Sequence, residues 1–411
     1  WENLLTEILQ SAIVKKKKKN WAFDCIYKVQ MKRKIVIVGP AHPLRGGLAS
    51  YDERLAREFQ QQGWDTCIYT FSLQYPGFLF PGTTQFSTEP PPAGLDIHVR
   101  INSVNPFNWY SVGRELKNFS PDIIVVRYWL PFMGPCLGTI LRIAKKNRHS
   151  KIVCIADNII PHEKRPGDTA FTRYFLKEMD AFITMSEKVL GDLRMLESKK
   201  PARFVPHPLY DNFGEKISKE EARRKLDIDL NDRVVLFFGF IRKYKGLDIL
   251  LDAMKIVKAQ TIARHLPPVK LLIAGEFYED DKPYLQQIKV NNIEDVLILK
   301  TDFVPDSEVK YYLCAADVVI QPYRNATQSG VTPLCYHFEK PMIITNVGGL
   351  TAMVPDGKAG LVAEPDAASI AKKIMEFYET GEVHFIPGLR EEKNKYTWDN
   401  LVKAIEEVSN L

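Results

Sequence analysis

The chain alternates short runs of consecutive apolar residues with longer stretches whose apolar positions recur at helical spacing. KIVIVG, from Lys34, is a strand; SYDERLAREFQQQG, from Ser50, is an amphipathic helix closed by a glycine; DTCIYTF is the next strand, and DIIVVR, KIVCIAD and DAFITMS follow. The pattern restarts after FVPHPLYDNF and the charged helix SKEEARRKL. RVVLFFGF is followed by a helix around LDILLDAMKIV, then by VKLLIAG, DVLILK, DVVIQPY, PMIITN and AGLVAE. Apolar runs separated by helices predict strands buried on both faces of a parallel sheet. Two such series predict an α/β chain of two doubly wound, Rossmann-like domains, residues 31–208 and 209–395, joined near Pro206 to Phe213. Domains of this kind face each other across a cleft at the C-terminal ends of their strands, where open α/β sheets bind ligands.

The length of 411 residues agrees with two domains. With 45% hydrophobic and 26% charged residues the composition is that of an ordinary globular protein. No apolar run reaches the length of about 18 residues needed for a membrane span. The six cysteines form no Cys-x-x-Cys pair and read as free thiols in a reducing cytoplasm. Half of the formal net charge of +6 sits in residues 1–30, where KKKKK follows WENLLTEILQSAIV. That segment reads as extraneous sequence ahead of Met31, with a polybasic membrane-surface anchor as the rival. The remainder is only mildly basic and has no basic stripe, which argues against nucleic acid. Close acids in LDIDLND and YEDDKP lack histidine or cysteine at ligand spacing, so no metal is expected.

Four stretches carry candidate chemistry. In GPAHPLRGGLASYDERL, Gly46 and Gly47 lie between a strand and a helix N-terminus, where a backbone can approach an anion. The loop is not GxxxxGK[ST], so an ATPase P-loop is disfavoured. In LFFGFIRKYKG, Arg242 and Lys245 follow a buried strand and point cations into the cleft. In RNATQSGVTPLC, Thr327, Gln328, Ser329 and Gly330 precede a helix starting near Val331, with amides and hydroxyls for phosphate or sugar. In KIVCIADNIIPHEKRPGD, Asp157, Asn158, His162 and Glu163 follow a strand on the opposite side. Arg127 and Arg165 read either as contacts for an anionic acceptor or as solvated cations.

Taken in order, the strand-Gly-x-x-Arg-x-x-Lys-Gly segment, LLIAGE, FVPDSEVKYYLCAADVVIQPY, QSGVTPLCYHFEKPMIITNVGGL and DGKAGLVAEPD resemble the retaining glycosyltransferases of family 4, which have the GT-B fold. The resemblance implies transfer of a sugar from a nucleotide diphosphate sugar to a glycan or lipid-linked acceptor, without a metal or other cofactor. It also implies that the last helix, at about 396–411, crosses back to the first domain. Carried over, Arg242 and Lys245 look like the diphosphate clamp, Gly46 and Gly47 like the loop over the donor, and Glu276 and Val304 like its base-side contacts. Where the family has Arg after the strand glycine, this chain has Phe240, with Arg242 as the substitute. His162 is the nearest match to the family's histidine by the transferred sugar, and Asn158 is its rival. Where the family shows two glutamates eight positions apart, this chain has Ala326 and Leu334, so Gln328 or Thr327 stands in for the first; Glu339, more than a helical turn past Leu334, faces elsewhere. The expected protein is cytoplasmic, with peripheral membrane contact through KRPGDTAFTRYFLK as an added possibility, and serves polysaccharide or glycolipid assembly. A GT-B epimerase or hydrolase, and an inactive sugar-nucleotide-binding relic, are the alternatives.

Overall fold

The computed structural model describes residues 32–77, 84–161, 165–326 and 329–410, and the readings made of residues 1–30 lie outside them. The first sheet holds β1 (Lys34–Val38), β2 (Asp65–Leu73), β3 (Asp96–Asn102), β4 (Ile123–Tyr128), β5 (Lys151–Ala156), β6 (Ala181–Thr184) and β7 (Ala202–Phe204), in the order β3-β2-β1-β4-β5-β6-β7. The second holds β8 (Arg233–Phe238), β9 (Val269–Ala274), β10 (Leu297–Lys300), β11 (Val318–Gln321), β12 (Met342–Thr345) and β13 (Gly360–Ala363), in the order β10-β9-β8-β11-β12-β13. Every pairing is parallel. The chain is therefore the expected α/β type, with strand order reversing between β1 and β4 and between β8 and β11. Crevices open at the C-terminal ends of strands beside such reversals.

Central strands read clearly because they are apolar throughout: β4 is buried along its whole length, and β1 and β5 from their second residue on. Two strands escaped the sequence reading. In β3, DIHVRIN lies at the sheet edge and only Ile101 is buried, so no apolar run marks it. In β7, three residues with exposed Arg203 and Phe204 are too short to show a period.

The connection between the sheets is anchored by buried aromatic side chains. His207, Tyr210 and Phe213 pack inside, and the Tyr210 ring lies 4.9 Å from that of His207. The last helix, Trp398–Ser409, lies against the helix Gly47–Gln61 and the strands β5 to β7 of the first sheet. It is pinned there by Trp64 Nε1 donating to Glu406 (2.9 Å) and by Trp398 Nε1 donating to the Leu209 carbonyl (2.8 Å). The chain therefore passes between the two sheets twice.

Candidate functional site

The first domain meets the cleft at Gly46. Its φ of 101° lies in the region that favours glycine, and it turns the loop directly into the helix Gly47–Gln61. The helix thus starts three residues before Ser50, with the Gly46 carbonyl accepting from the amides of Ala49 (2.9 Å) and Ser50 (3.2 Å). The Tyr210 hydroxyl donates to the Gly47 carbonyl at 3.0 Å and fixes the loop to the linker. A Cβ at Gly46 would lie 3.7 Å from Phe240 Cζ, so this loop touches the second domain.

In the second domain a tight turn, Lys243–Lys245, follows β8 and ends at Gly246, whose φ is 70°. A Cβ on Gly246 would stand 2.0 Å from the Pro322 carbonyl oxygen, so only glycine fits. The turn folds Lys245 back over the strand end. Its Nζ lies 3.1 Å from where a Cβ of Gly239 would be and 6.0 Å from the Tyr323 ring centre. Lys245 is 9% exposed, and its ammonium has no hydrogen-bond or ion-pair partner among the described residues. Burial, reinforced by Arg242, brings its pKa down to about 7. A buried cation lacking a counter-charge is costly, and an anion beside it removes that cost.

Between these parts lies a cavity of about 220 Å³. Of the residues singled out in the sequence, Gly46, Gly47, Lys245, Glu276, Val304, Ser329, Gly330 and Val331 line it together. His162, Thr327 and Gln328 lie outside the described residues. Two of the residues singled out do not line the cavity. Arg242 is exposed, in extended backbone at the start of the turn, with its guanidinium over the Tyr278 ring at 5.0 Å; it stands at the rim and is not part of the wall. Asn158, half-buried beyond the end of β5, is not part of the wall either.

Ser329 lines the cavity but is already committed. Its hydroxyl donates to Gln321 Oε1 (2.6 Å) and accepts from the Val331 amide (3.1 Å). The Val331 amide is therefore not free for a ligand, contrary to the sequence reading. Ala326 and Leu334 are buried, and Leu334 gives the cavity an apolar wall where a carboxylate was expected. Glu339 faces elsewhere, as read: it bonds Lys216 (3.0 Å), Lys393 (3.0 Å) and Arg390 (3.2 Å).

Contacts across the cleft were not legible in the sequence. Arg45 Nη2 donates to Glu276 Oε2 at 2.6 Å, with both side chains nearly buried, and the Arg45 guanidinium lies 3.9 Å from the Phe303 ring centre. Ser50 donates to Asp306, whose pKa burial raises to about 6 against the effect of that bond. Arg127 is neither solvated nor directed to a ligand, because it is buried against Asp157 and Asp52 inside the first domain. Arg165 is exposed. Away from the cleft, β2 and β3 bring Cys67, Asp96 and His98 together with their donor atoms within 4.8 Å of one another. There His98 Nε2 bonds Asp96 (3.0 Å), and burial pushes the Cys67 thiol up to about 12.

Residues 232–380 match the family model described as Glycosyl transferases group 1. An uncharacterised glycosyltransferase of Methanocaldococcus jannaschii is 25% identical over 73% of this chain and 79% of its own length. A D-inositol 3-phosphate glycosyltransferase of Acidothermus cellulolyticus is 24% identical over 88% of this chain and 84% of its own. Among solved structures, the Anabaena protein HepE in complex with UDP-glucose superimposes with a TM-score of 0.68 at 16% identity, covering 92% of this chain and 100% of that one. The two-sheet arrangement is thus the GT-B fold.

Proposed function

We propose that the chain is a group 1 glycosyltransferase, as the family match over residues 232–380 and its glycosyltransferase relatives support, and that it is a retaining, metal-independent hexosyltransferase. It moves a sugar from a UDP- or GDP-type donor to a polysaccharide or glycolipid acceptor. The observation that carries this reading is Lys245, a buried ammonium on the wall of the interdomain cavity with no hydrogen-bond or ion-pair partner among the described residues. A nucleoside diphosphate there supplies the missing counter-charge and restores full protonation to the amine. The same cation then opposes the negative charge that grows on the diphosphate as the glycosidic bond breaks.

The Gly46–Gly47 loop supports the reading, since its backbone approaches the cavity without side chains. The likeness to a structure holding UDP-glucose favours a UDP-type donor. The apolar wall at Leu334 removes one charge-assisted hydrogen bond to the donor, a loss of roughly 1.5–3 kcal/mol that weakens a site without abolishing it. Among the described residues no helix is long and apolar enough to cross a membrane. We place the enzyme in the cytoplasm, touching the membrane peripherally through the first-domain segment that carries the exposed Phe171.

The test is thermal stabilisation of the protein by UDP, GDP, ADP and their sugar conjugates at millimolar concentration, repeated with Lys245→Ala. A shift from one base that disappears in the variant supports the reading and names the donor base. No shift from any nucleotide sinks it and favours the relic. Donor turnover without any acceptor favours the epimerase or hydrolase.

A further inference from the structure

Among the described residues the cavity holds one cation in its wall, Lys245, beside the carboxylate of Glu276 and the acid of Asp306. A nucleoside diphosphate brings at least two negative charges next to those acids. One ammonium is a poor match for that load. The obvious second cation, Arg242, stands outside on Tyr278, and the residue after the strand glycine is Phe240.

Arg45 is the basic residue directly before the glycine pair, and it reaches over the cleft to the second domain. Three contacts fix its guanidinium: Nε donates to the Thr84 carbonyl (2.7 Å), Nη2 to Glu276 (2.6 Å), and the plane lies on Phe303 (3.9 Å). Glu276, Phe303 and the neighbouring Gly46 all line the cavity. Arg45 itself stands behind these wall residues and does not line the cavity, and its Nη1 has no hydrogen-bond partner among the described residues. An arginine held at two of its nitrogens with the third unpaired is pre-organised to donate to a phosphate.

We infer that Arg45 is the second cation of the donor site, contributed by the first domain, and that its Nη1 donates to the donor's diphosphate while Glu276, Thr84 and Phe303 hold the rest of the guanidinium. The inference rests on the donor-site reading above. Arg45 acts as a specificity residue as well as an anchor, because its contact is with the diphosphate and not with base or ribose. It also makes donor binding depend on closure of the cleft, since the cation and its holder Glu276 come from different domains.

The experiment compares dissociation constants of UDP with UMP, and of GDP with GMP, by calorimetry for the wild type, Arg45→Ala, Arg45→Lys, Arg242→Ala and Lys245→Ala. The wild type prefers the diphosphate. Arg45→Ala is expected to reduce that preference by about tenfold or more, the loss of one charge-assisted hydrogen bond. Arg45→Lys recovers part of it, and Arg242→Ala leaves it near the wild-type value. A merely structural Arg45 lowers melting temperature in Arg45→Ala and leaves the ratio of the two affinities unchanged, which overturns the inference. If Arg45→Ala does not fold, Arg45→Lys decides alone: an unchanged ratio there overturns the inference, and a reduced one supports it. A wild type that binds no nucleotide overturns this inference together with the proposed function. A diphosphate preference that depends on Lys245 but survives without Arg45 overturns this inference only.

Discussion

Arg127 and Asp157 meet through two parallel hydrogen bonds of 2.6 and 2.7 Å, in a place where both residues are almost wholly buried. Asp52 completes the group, with Oδ1 3.5 Å from Arg127 Nη1 and Oδ2 without a hydrogen bond. The guanidinium also lies 3.7 Å from the centre of the Tyr51 ring, on the helix that begins with the glycine loop. This ion group is part of the frame that holds the loop.

Arg127→Leu removes the guanidinium that Asp157 and Asp52 face in the interior. The expected loss is about 3–5 kcal/mol of stability, read as a lower urea midpoint. A change below about 1 kcal/mol shows that the pair contributes little to the frame.

Asp52 gives stability a pH dependence. Burial raises its pKa to about 8, with Arg127 opposing and Asp157 adding to the rise. The folded state therefore binds a proton that the unfolded state releases from about pH 4 upward, so stability falls as pH rises from there through about 8. Asp52→Asn keeps the shape and removes the titration. Its melting temperature is expected to exceed that of the wild type at pH 8.5 and to approach it at pH 5; parallel curves refute the assignment.

For Lys245 the sign is opposite. Its folded-state pKa, about 7, lies below its ordinary value, so the unfolded chain binds more protons between about pH 7 and 10 and this group's contribution to stability rises with pH there. Binding a diphosphate reverses the depression. Nucleoside diphosphate binding at pH 8 is expected to take up a proton, seen as a calorimetric enthalpy that varies with the ionisation enthalpy of the buffer. Lys245→Ala removes this dependence along with most of the binding.

Gly246→Ala tests how Lys245 is placed. The new Cβ meets the Pro322 carbonyl, and the residue is held at positive φ, so a loss of roughly 2 kcal/mol or more is expected, together with weaker nucleotide binding. Unchanged binding at unchanged stability shows that the turn adapts and does not position the lysine.

Glu339 sits among Lys216, Arg390 and Lys393. Burial alone raises its pKa, but the hydrogen bonds from these three outweigh it and hold the carboxyl at about 2. Its contribution is present above its unfolded value near 4.5 and is lost as pH falls through about 2. Glu339→Gln is expected to lose less stability than the wild type between pH 5 and 2, measured by thermal melts across that range.

What was legible in the sequence follows from burial. The strands β1, β4, β5, β8 and β9 are apolar nearly throughout and announce a parallel sheet. Lys245 and the pair Gly46–Gly47 were found because local features mark them: a cation directly after a buried strand, and glycines at a helix start. Arg45 with Glu276, and Arg127 with Asp157, were not found, since each pair is made by folding across 231 and 30 residues. The place of Arg242 over Tyr278 was not legible, because a sequence shows that a cation follows a strand but not which side of the turn it leaves by. Ser329 was assigned to a ligand because its bond to Gln321 joins two segments whose approach is set by tertiary packing.

The helix Trp398–Ser409 has a consequence for biosynthesis. It supplies a wall of the first domain, yet it is made after every residue of the second. A chain emerging from the ribosome can complete its C-terminal-half sheet while its N-terminal half still shows apolar surface at the helix Gly47–Gln61 and along β5 to β7. Loss of the helix Trp398–Ser409 by premature termination would therefore expose the half of the molecule synthesised first.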